Sequence, residues 1–518
     1  MNVVVSREHK SLVIPKTTAT KNLFPGAPEL PGGNNLVVPH TLHESHLLRH
    51  IGYKTPNPML AYYDWGAAQP FEVQRQTCAL LTENPRAYVL NHMGTGKTKT
   101  ALWSWDYLYQ QGLCGKALIV APLSTLHFVW AREAFATLPR RKVSVLHGTK
   151  AERLSALAGS GADIFIINHD GLKVIEADLH ARTDIDVLIL DELAVYRNNS
   201  QRSKAMRKFA QRFSCVWGMS GAPMPNKPTD VWAQCKIVTP QTVPQFYRQA
   251  ESILMNRISQ FKLVPKPDAV EKAFKWMQPS VRFALDDVVE LPELVSRVID
   301  VPLSKEQSKA YDKLAREFRT MVEDKAITAL NAAAAMSKLL QVSQGWVYTT
   351  SLEYVELDAT PRIEALMDIL EGTERKVMVF VPFRHSLTGL AKHLDKEGYE
   401  NVTVHGGTPN RDKIFHLFQN TEKYKVLLAH PECLAHGVTL TAADTVIWYG
   451  PTASLEIYEQ ANARIRRVGQ KHKQQILHLQ GTPVEKKIYA LLRGKQKVQD
   501  QLLDMFEDAT AKRDGARS

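Results

Sequence analysis

Two separate runs of alternating strands and helices limit the folds that are open to this chain of 518 residues. From about residue 60, short β-branched segments such as ALIVA at 117, DIFIIN at 163 and DVLILD at 186 alternate with amphipathic stretches. A second alternation begins with KVMVFV at 376 and continues through NVTVHG, KVLLAH and DTVIWYG. Strands that alternate with helices form parallel sheets covered on both faces. The sequence therefore predicts an α/β fold with two tandem RecA-like, doubly wound parallel-sheet lobes.

The regions outside these two alternations have a different composition. The stretch between them has a helical pattern, including ITALNAAAAMSKLLQ, and carries many Lys and Arg. The amino-terminal part is rich in Pro, Gly and His and contains short β-like runs, which we interpret as an extension wrapped on the main body. We therefore predict an extension over 1–60, a first lobe over 61–240, a helical protrusion and linker over 241–345, a second lobe over 346–500 and a tail over 501–518.

Charge and targeting signals restrict the partners and the compartment. The 65 Lys and Arg exceed the 53 Asp and Glu, for a net charge of +12. A basic surface suits a polyanion, because bound Lys and Arg release counterions from phosphates. The five scattered cysteines predict neither a disulfide framework nor a zinc site. No signal-peptide layout and no apolar run of ~20 residues is visible, so we expect a cytoplasmic protein without membrane association.

The segment AYVL-NHMGTGKT-KTALWSW has a strand, a glycine-containing loop and a helix in the order that a phosphate site requires. Gly94 and Gly96 let backbone N–H groups approach phosphate oxygens, and the helix amino terminus adds the positive end of its dipole. Lys97 is expected to reach the β- and γ-phosphates, and the Thr98 hydroxyl to bind Mg²⁺. A strict P-loop has glycine where this chain has Asn91. The predicted ATP contacts in the loop are Met93, Gly94, Thr95, Gly96, Lys97 and Thr98.

An acidic pair follows the apolar strand VLIL, about ninety residues after the P-loop. Asp191 is predicted to hold Mg²⁺, and Glu192 to act as the general base for the attacking water. An acidic pair that only stabilises a helix amino terminus is the alternative. The position at the end of a strand favours the catalytic role, because metal and phosphate sites meet at the carboxyl edge of a parallel sheet.

Further motifs, in order along the chain, resemble those of superfamily-two helicases, specifically the Swi/Snf-type ATPase branch. The stretch ALIVAPLSTLHFVWAREA is similar to motif Ia of the branch, and MSGAPMPN to the motif that couples hydrolysis to lobe movement. In the second alternation, HGG at 405–407 and HGVTLTAAD at 436–444 resemble backbone-tracking and coupling motifs. QANARIRRVGQ at 460–470 resembles the last motif. The resemblance covers about residues 65–500.

The resemblance implies roles for individual residues. Gln74 looks like the glutamine that reads the adenine edge, and Arg464 and Arg467 look like arginine fingers. An arginine supplied by the second lobe would stabilise the charge that develops on the transferred phosphoryl group, worth ~10³–10⁵ in rate. The residues implied in coupling are Ser220, Gly221, Gly437 and Gln460.

A motor that moves along nucleic acid should grip phosphates through small polar groups and backbone N–H donors, because base edges change at every step. Candidates in loops at strand ends are Ser124, Thr125, His405, Gly406, Thr439 and Thr441. Trp103, Trp105 and Trp130 are interpreted as core residues rather than as stacking platforms for bases.

Some positions differ from the pattern of the branch. The acidic motif reads DELA instead of DEAH, so Ala194 cannot make the polar link that a histidine makes there. The last motif has Ala463 where Asp is common, and Ala453-Ser454-Leu455 replaces Trp-Asn-Pro. These changes leave the predicted phosphate residues in place and concern the coupling to DNA.

The resemblance implies an ATP-dependent, monomeric motor that moves on duplex DNA and remodels forks or junctions. The amino-terminal part is similar to short phage-borne members, which in turn resemble HARP-type annealing helicases, so a bacterial or phage-infected cell is expected. Two alternatives remain open: a helicase that separates strands of DNA or RNA, and an ATP-dependent displacer of a DNA-bound protein.

Overall fold

The computed structural model describes residues 3–67, 69–159, 161–259, 262–288, 291–323, 329–349, 354–434, 438–467, 469–497 and 500. The chain separates into two compact units, one containing the residues up to 288 and the other residues 289–497. The stretch 241–345, predicted as a helical protrusion and linker, is divided between the two units and contains strands as well as helices. Among the described residues, no helix combines the length and hydropathy that a membrane span requires.

The first unit begins with a small antiparallel sheet and continues into a large parallel one. Its strands are β1 (Val4–Ser6), β2 (Ser11–Pro15), β3 (Asn35–Pro39), β4 (Arg86–Val89), β5 (Lys116–Ala121), β6 (Val143–Leu146), β7 (Ile164–Asn168), β8 (Ile185–Leu190), β9 (Cys215–Met219), β10 (Met255–Ser259), β11 (Lys262–Pro265) and β12 (Ser280–Val281). Its helices are α1 (Thr18–Leu23), α2 (Leu42–His50), α3 (Pro58–Tyr62), α4 (Glu72–Glu83), α5 (Lys97–Gln110), α6 (Arg132–Thr137), α7 (Lys150–Gly159), α8 (Glu176–His180), α9 (Gln201–Ala210), α10 (Asp230–Val238), α11 (Tyr247–Leu254) and α12 (Ala269–Trp276).

The parallel sheet of the first unit has seven strands in the order β12-β4-β9-β8-β5-β7-β6. Side chains alternate between the two faces of each strand. In β5, Leu118 and Val120 belong to one apolar layer, whereas Ala117 and Ile119 belong to the other. Both layers are covered by helices, which confirms the predicted doubly wound arrangement.

The second unit is built around another all-parallel sheet, of six strands in the order β13-β20-β19-β16-β18-β17. Its strands are β13 (Leu294–Asp300), β14 (Trp346–Tyr348), β15 (Tyr354–Glu356), β16 (Lys376–Phe380), β17 (Asn401–Val404), β18 (Val426–Ala429), β19 (Ala443–Trp448) and β20 (Gln474–Gln480), of which β14 and β15 form a separate hairpin. Its helices are α13 (Lys305–Glu323), α14 (Ala329–Gln344), α15 (Thr360–Glu371), α16 (Arg384–Lys396), α17 (Arg411–Asn420), α18 (Pro431–Leu434), α19 (Leu455–Asn462) and a last helix over 483–497. The central strand β16 again sends alternate side chains into two apolar layers.

The amino-terminal strands predicted from NVVV, SLVIP and NLVVP form the three-stranded sheet β1-β2-β3, which has an apolar core of its own. Two polar contacts attach this region to α4 of the first unit. Arg49 forms an ion pair with Glu83 at 2.6 Å, and the Asn57 amide donates to the carbonyl of Ala79 at 3.2 Å. The region is therefore bonded directly to the helix that begins at Glu72.

Candidate active site

Strand order brings the predicted catalytic loops of the first unit to one edge of its sheet. The P-loop follows β4, the Ser220 motif follows β9 and the acidic pair follows β8, and these three strands are neighbours in the order β4-β9-β8. All three run in the same direction. Their carboxyl ends therefore meet, which is where parallel sheets place ligand sites.

The P-loop turns sharply into α5 through two glycines with left-handed backbone conformations. Gly94 has φ +88° and Gly96 has φ +84°, and α5 begins at Lys97. A Cβ atom at Gly96 would lie only 2.3 Å from Nε2 of Gln74. Glycine is therefore favoured here by the backbone conformation, and a larger residue would also displace the end of the Gln74 side chain. The N–H groups of this turn lie at a helix amino terminus, where phosphates are bound.

Gln74 is buried in α4 and its carboxamide contacts the P-loop. Nε2 donates to the carbonyl of Thr95 at 3.0 Å, and Oε1 accepts the N–H of Phe71 at 3.0 Å. A carboxamide has two N–H donors and two acceptor lone pairs. One donor and one lone pair are used by these bonds, which leaves capacity for the predicted contact with adenine.

Asn91 occupies the position where a strict P-loop has glycine, and its side chain has a structural role. Nδ2 donates to the Thr77 hydroxyl at 2.9 Å, and Oδ1 accepts the N–H of Phe283 at 3.1 Å. The carbonyl of the same residue accepts a hydrogen bond from Nζ of Lys97 at 2.8 Å. Asn91 thus connects α4, the strand edge and the P-loop lysine, a role that the sequence analysis missed.

The acidic pair is held by an indole that was predicted only as a core residue. Nε1 of Trp130 donates to Oδ2 of Asp191 at 2.8 Å, and the backbone N–H of Glu192 donates to Oδ1 at 3.1 Å. Burial raises the pKa of Asp191, and the Trp130 hydrogen bond and the Lys97 charge oppose part of this rise. Glu192 adopts φ +50°, a conformation that is uncommon outside glycine and typical of strained functional sites.

The predicted coupling residues Ser220 and Gly221 lie against the P-loop. The N–H of Ser220 donates to the carbonyl of Val89, the last residue of β4, at 3.1 Å. A Cβ atom at Gly221 would lie 3.4 Å from Cγ of Met93. These residues therefore contact the loop that is predicted to hold the phosphates. Gly437, a further predicted coupling residue, lies outside the described residues.

The DELA motif makes an apolar contact near the position where DEAH motifs have a polar one. Leu193 is fully buried, and its Cδ2 atom lies 2.6 Å from the position that a Cβ atom of Gly218 would occupy. Ala194 is also buried. Because Gly218 is in β9, two residues before Ser220, the acidic motif and the coupling motif are in contact through apolar packing.

The two predicted arginine fingers, Arg464 and Arg467, differ in burial and in hydrogen-bond partners. Arg464 is only 2% exposed, and its guanidinium donates to the carbonyls of Gln460 at 2.7 Å and Val438 at 3.1 Å. Arg467 is half-buried and donates to the Thr439 hydroxyl at 2.9 Å. The Gln460 side chain is buried, and within the part of the chain that the structure describes its Nε2 atom has no hydrogen-bond partner. Arg464 thus fixes the motif to its own lobe, whereas Arg467 is the more accessible cation.

The predicted nucleic-acid contacts of the first unit differ in exposure. Ser124 is exposed in the turn after β5. Thr125 is only 5% exposed, and its hydroxyl donates to the carbonyl of Pro122 at 2.9 Å. We therefore correct the prediction for Thr125, because its side chain closes the turn and is shielded from a ligand.

In the second unit, three neighbouring strands end in cationic or titratable side chains. Arg384 follows β16, His405 follows β17 and His430 follows β18. The guanidinium of Arg411 donates to the carbonyl of Gly406, another predicted contact, which is exposed. Burial, and then the charges of Arg384 and Arg411, lower the pKa of His405. Thr441, by contrast, is half-buried and accepts from Nε2 of Gln419 at 3.2 Å.

The residues at the first-unit edge fit Mg²⁺ and a nucleotide. The Thr98 hydroxyl, in the first turn of α5, and the Asp191 carboxylate are hard oxygen donors of the kind that Mg²⁺ prefers. Mg²⁺ at phosphate sites takes one or two protein ligands and completes its shell with phosphates and water. This agrees with the described residues, where no group of three or more His, Cys, Asp or Glu could hold a metal alone.

A parallel sheet that presents a P-loop, an acidic pair and a coupling loop at one edge defines a P-loop ATPase. The SNF2-related domain family matches residues 78–354, and the helicase conserved C-terminal domain matches residues 361–469. The chain therefore belongs to the SNF2-related family of ATP-dependent helicases and translocases.

The similar proteins include a phage protein and two eukaryotic chromatin proteins. The chain is 26% identical over 422 residues to putative protein p41 of Acyrthosiphon pisum secondary endosymbiont phage 1, covering 77% of this chain and 88% of that protein. It is 24% identical over 468 residues to the ISWI chromatin-remodeling complex ATPase ISW1 of Saccharomyces cerevisiae, covering 85% of this chain and 40% of that protein. It is 24% identical over 456 residues to the SWI/SNF-related matrix-associated actin-dependent regulator of chromatin subfamily A-like protein 1 of Xenopus laevis, covering 84% of this chain and 44% of that protein.

Among solved structures, the Sulfolobus solfataricus SWI2/SNF2 ATPase core in complex with dsDNA is similar, at 18% identity and a TM-score of 0.41. That alignment covers 87% of this chain and 97% of the solved chain. The chain spans less than half the length of the two chromatin regulators that it matches.

Proposed function

We propose that this protein hydrolyses ATP in order to translocate along duplex DNA, and that forks or junctions are remodelled as a consequence. The observation that supports this most is the contact between three motifs at one sheet edge. The P-loop, the acidic pair and the Ser220 motif are bonded or packed together through Val89, Met93 and Leu193. A movement of the P-loop around the phosphates can therefore displace the coupling residues directly.

Each residue at this edge has a defined task in the proposed reaction. Lys97 and the N–H groups around Gly96 bind the β- and γ-phosphates. Thr98 and Asp191 hold Mg²⁺, which when bound neutralises charge on the phosphates and on the leaving group. Glu192 accepts a proton from the attacking water. Phosphoryl transfer requires mostly positioning and charge stabilisation, and these residues supply both.

Arg467 is proposed as the arginine finger, and Arg464 as its anchor. A finger must be able to leave its resting contact, and Arg467 donates only to the Thr439 hydroxyl and the carbonyl of Ala463 among the residues that the structure describes. Arg464 is buried and bonded to two carbonyls, so moving it would disrupt the motif.

The proposed partner is DNA, bound through its backbone. Two relatives are described as a chromatin-remodeling complex ATPase and as a regulator of chromatin. The second unit presents Arg384 and Arg411, whose charges both act on His405, and cations of this kind bind phosphates irrespective of sequence. We propose that the protein acts as a monomer in the cytoplasm, and that RNA is a weaker substrate.

One observation supports strand separation as a second candidate function. Strands β10 and β11 form an antiparallel hairpin in the first unit, and residues 256–259 are all exposed. Ile258 is 64% exposed, although it is a large apolar side chain in a strand. A hairpin with an apolar exposed side chain can separate stacked bases. Shortening this hairpin should abolish unwinding but preserve DNA-stimulated ATP hydrolysis, if strand separation is its role.

The test of the proposed function is steady-state ATP hydrolysis with no nucleic acid, single-stranded DNA, duplex DNA, forked DNA or RNA. Wild type is compared with Lys97→Ala and with the control Lys99→Ala. Lys99 lies two residues further along α5 and forms an ion pair with Glu133 at 3.4 Å. Two salt concentrations are used, because phosphate-dominated binding weakens steeply with salt.

Strong stimulation by duplex or forked DNA, lost in Lys97→Ala and retained in Lys99→Ala, is the expected result. Equal or greater stimulation by single strands or RNA would favour the strand-separating helicase. Hydrolysis that is indifferent to every nucleic acid would refute the DNA motor and favour displacement of a protein partner.

A further inference from the structure

We propose that Trp130 is a positioning residue for Asp191, and that it connects the predicted Mg²⁺ ligand to the segment following β5. The inference deepens the proposed ATP site, and it does not depend on which nucleic acid the protein moves along. Three observations support it: the hydrogen bond from the indole, the burial of the Trp130 ring and the backbone of the segment that carries it.

The two oxygens of Asp191 are each held by one N–H donor. The indole N–H of Trp130 donates to Oδ2 at 2.8 Å, and the backbone N–H of Glu192 donates to Oδ1 at 3.1 Å. A carboxylate has about four lone-pair sites, so each oxygen keeps acceptor capacity. Two donors of fixed direction determine the plane of the carboxylate, and therefore determine where its remaining lone pairs point.

The donor of this bond is buried, whereas its acceptor Asp191 is half-buried. The Trp130 side chain is completely buried, in the same apolar layer as the P-loop helix α5. A hydrogen bond to a charged group is stronger than one between neutral groups. The rigid indole has few rotamers and packs on several sides, so it can hold the carboxylate with little loss of side-chain entropy.

The segment that carries Trp130 has an unusual backbone. Residues Leu126–Ala131 form a π-helical turn, which continues directly into α6. Single π turns inside helices are rare, and they often occur at functional sites because the extra residue redirects a side chain. The exposed Ser124, a predicted phosphate contact, lies in the short turn Leu123–Thr125 that directly precedes it. One continuous piece of backbone therefore carries a surface contact at its start and the Asp191 partner near its end.

Apolar packing alone does not explain this arrangement. Trp103 is another buried tryptophan of the same layer, at 1% exposure. Within the described part of the chain, its indole nitrogen has no hydrogen-bond partner. An indole can therefore be buried in this layer without an acceptor, so the bond between Trp130 and Asp191 is not a requirement of burial.

The experiment measures the binding of a fluorescent ADP analogue over a series of Mg²⁺ concentrations and in EDTA, with no nucleic acid present. Trp130→Phe is compared with wild type and with Trp103→Phe, a matched loss of volume that removes no hydrogen bond. Groups that orient a metal ligand typically change metal affinity by 10–100-fold, so we expect the Mg²⁺ concentration for half-maximal binding to rise about tenfold in Trp130→Phe. Affinity in EDTA should be unchanged, and Trp103→Phe should match wild type throughout.

Equal Mg²⁺ dependence in Trp130→Phe and Trp103→Phe would overturn the proposal. So would an equal loss of ADP affinity with and without Mg²⁺, which would indicate general damage to the fold. If Trp130→Phe does not fold, 3-benzothienylalanine at position 130 keeps the shape of indole and replaces its N–H by sulfur. The same shift in Mg²⁺ dependence is expected for it. Because DNA is absent, failure of the translocation proposal would leave this result unaffected.

Discussion

Substituting Gly218 by alanine should disturb the contact between the acidic motif and the coupling motif. The new Cβ atom would lie 2.6 Å from Cδ2 of Leu193 and 3.0 Å from Cγ2 of Val238, whereas an ordinary contact needs at least 3.4 Å. Leu193 and Val238 are both fully buried, so neither can move into solvent. Overpacking of this kind costs about 1–3 kcal/mol of unfolding free energy. Strand β9 would have to shift, and with it Ser220.

A double-mutant cycle measures the interaction energy between positions 193 and 218. Leu193→Ala alone leaves a cavity and should cost about 2–5 kcal/mol. In the double variant, the alanine at 218 occupies part of that cavity and meets no leucine. The combined cost should therefore be smaller than the sum of the single costs, with an interaction energy of about 0.5–3 kcal/mol. Urea unfolding gives the free energies, and ATP hydrolysis measured in parallel should fall in Gly218→Ala while the protein is still folded.

The control is Gly159→Ala, because a Cβ atom at Gly159 would have no neighbour within 4 Å and the residue lies in α7. This variant should be at least as stable as wild type, since alanine is favoured over glycine in helices. The proposed contact would be refuted if Gly218→Ala were as stable and as active as Gly159→Ala, or if the two costs in the cycle were additive. In that case the packing of Leu193 against Gly218 does not couple the acidic motif to the coupling motif.

Three further predictions concern individual polar side chains in the two units. Asn91→Gly restores the P-loop glycine but should lower stability by roughly 1–3 kcal/mol in urea unfolding, because the N–H of Phe283 loses its acceptor. Burial lowers the pKa of His478 to about 4. In the unfolded chain this histidine has a pKa of ~6.5, so the unfolded chain binds the proton first as pH falls. Wild type should therefore lose about 1.4 kcal/mol more unfolding free energy than His478→Gln between pH 8 and 5.5. Arg467→Ala should lower the ATPase kcat by ~10³ or more at unchanged unfolding temperature, whereas Arg464→Ala should lower the unfolding temperature.

One result would contradict each of these three predictions. An Asn91→Gly variant with wild-type stability would mean that water replaces the lost acceptor. Parallel pH profiles for wild type and His478→Gln would remove that histidine as the source of acid sensitivity. Full activity in Arg467→Ala would exclude it as the finger.

The fold could be predicted because its signals are local. Strands β4–β8 and β16–β19 coincide with the apolar β-branched segments read from the sequence, such as DVLILD for β8. Segments without such a signal were not recognised. Strand β12 has only two residues and pairs with β4 at the sheet edge, so no periodicity can reveal it. It lies in the stretch that was predicted to be helical.

The site was predictable where the chemistry lies in a short motif, as in the P-loop and the acidic pair. Trp130 and Asn91 were missed because their partners are distant along the chain. Asn91 bonds to Phe283, 192 residues away, and Trp130 reaches Asp191 only because β5 and β8 are neighbours in the sheet. The buried hydroxyl of Thr125 illustrates the opposite case, since exposure cannot be read from a loop sequence.

Arg49 and Asn57 attach the amino-terminal region to α4, and the same helix contacts the P-loop through Gln74. Helix α4 is about 18 Å long at 1.5 Å per residue. Glu83, at its end, bonds to Arg49, and Gln74, near its start, bonds to the P-loop carbonyl of Thr95. A ligand or protein that moves the amino-terminal region would therefore act on a helix whose other end contacts the P-loop. Removing residues 1–55 would alter nucleotide exchange as well as substrate choice, so both have to be measured when such a truncation is interpreted.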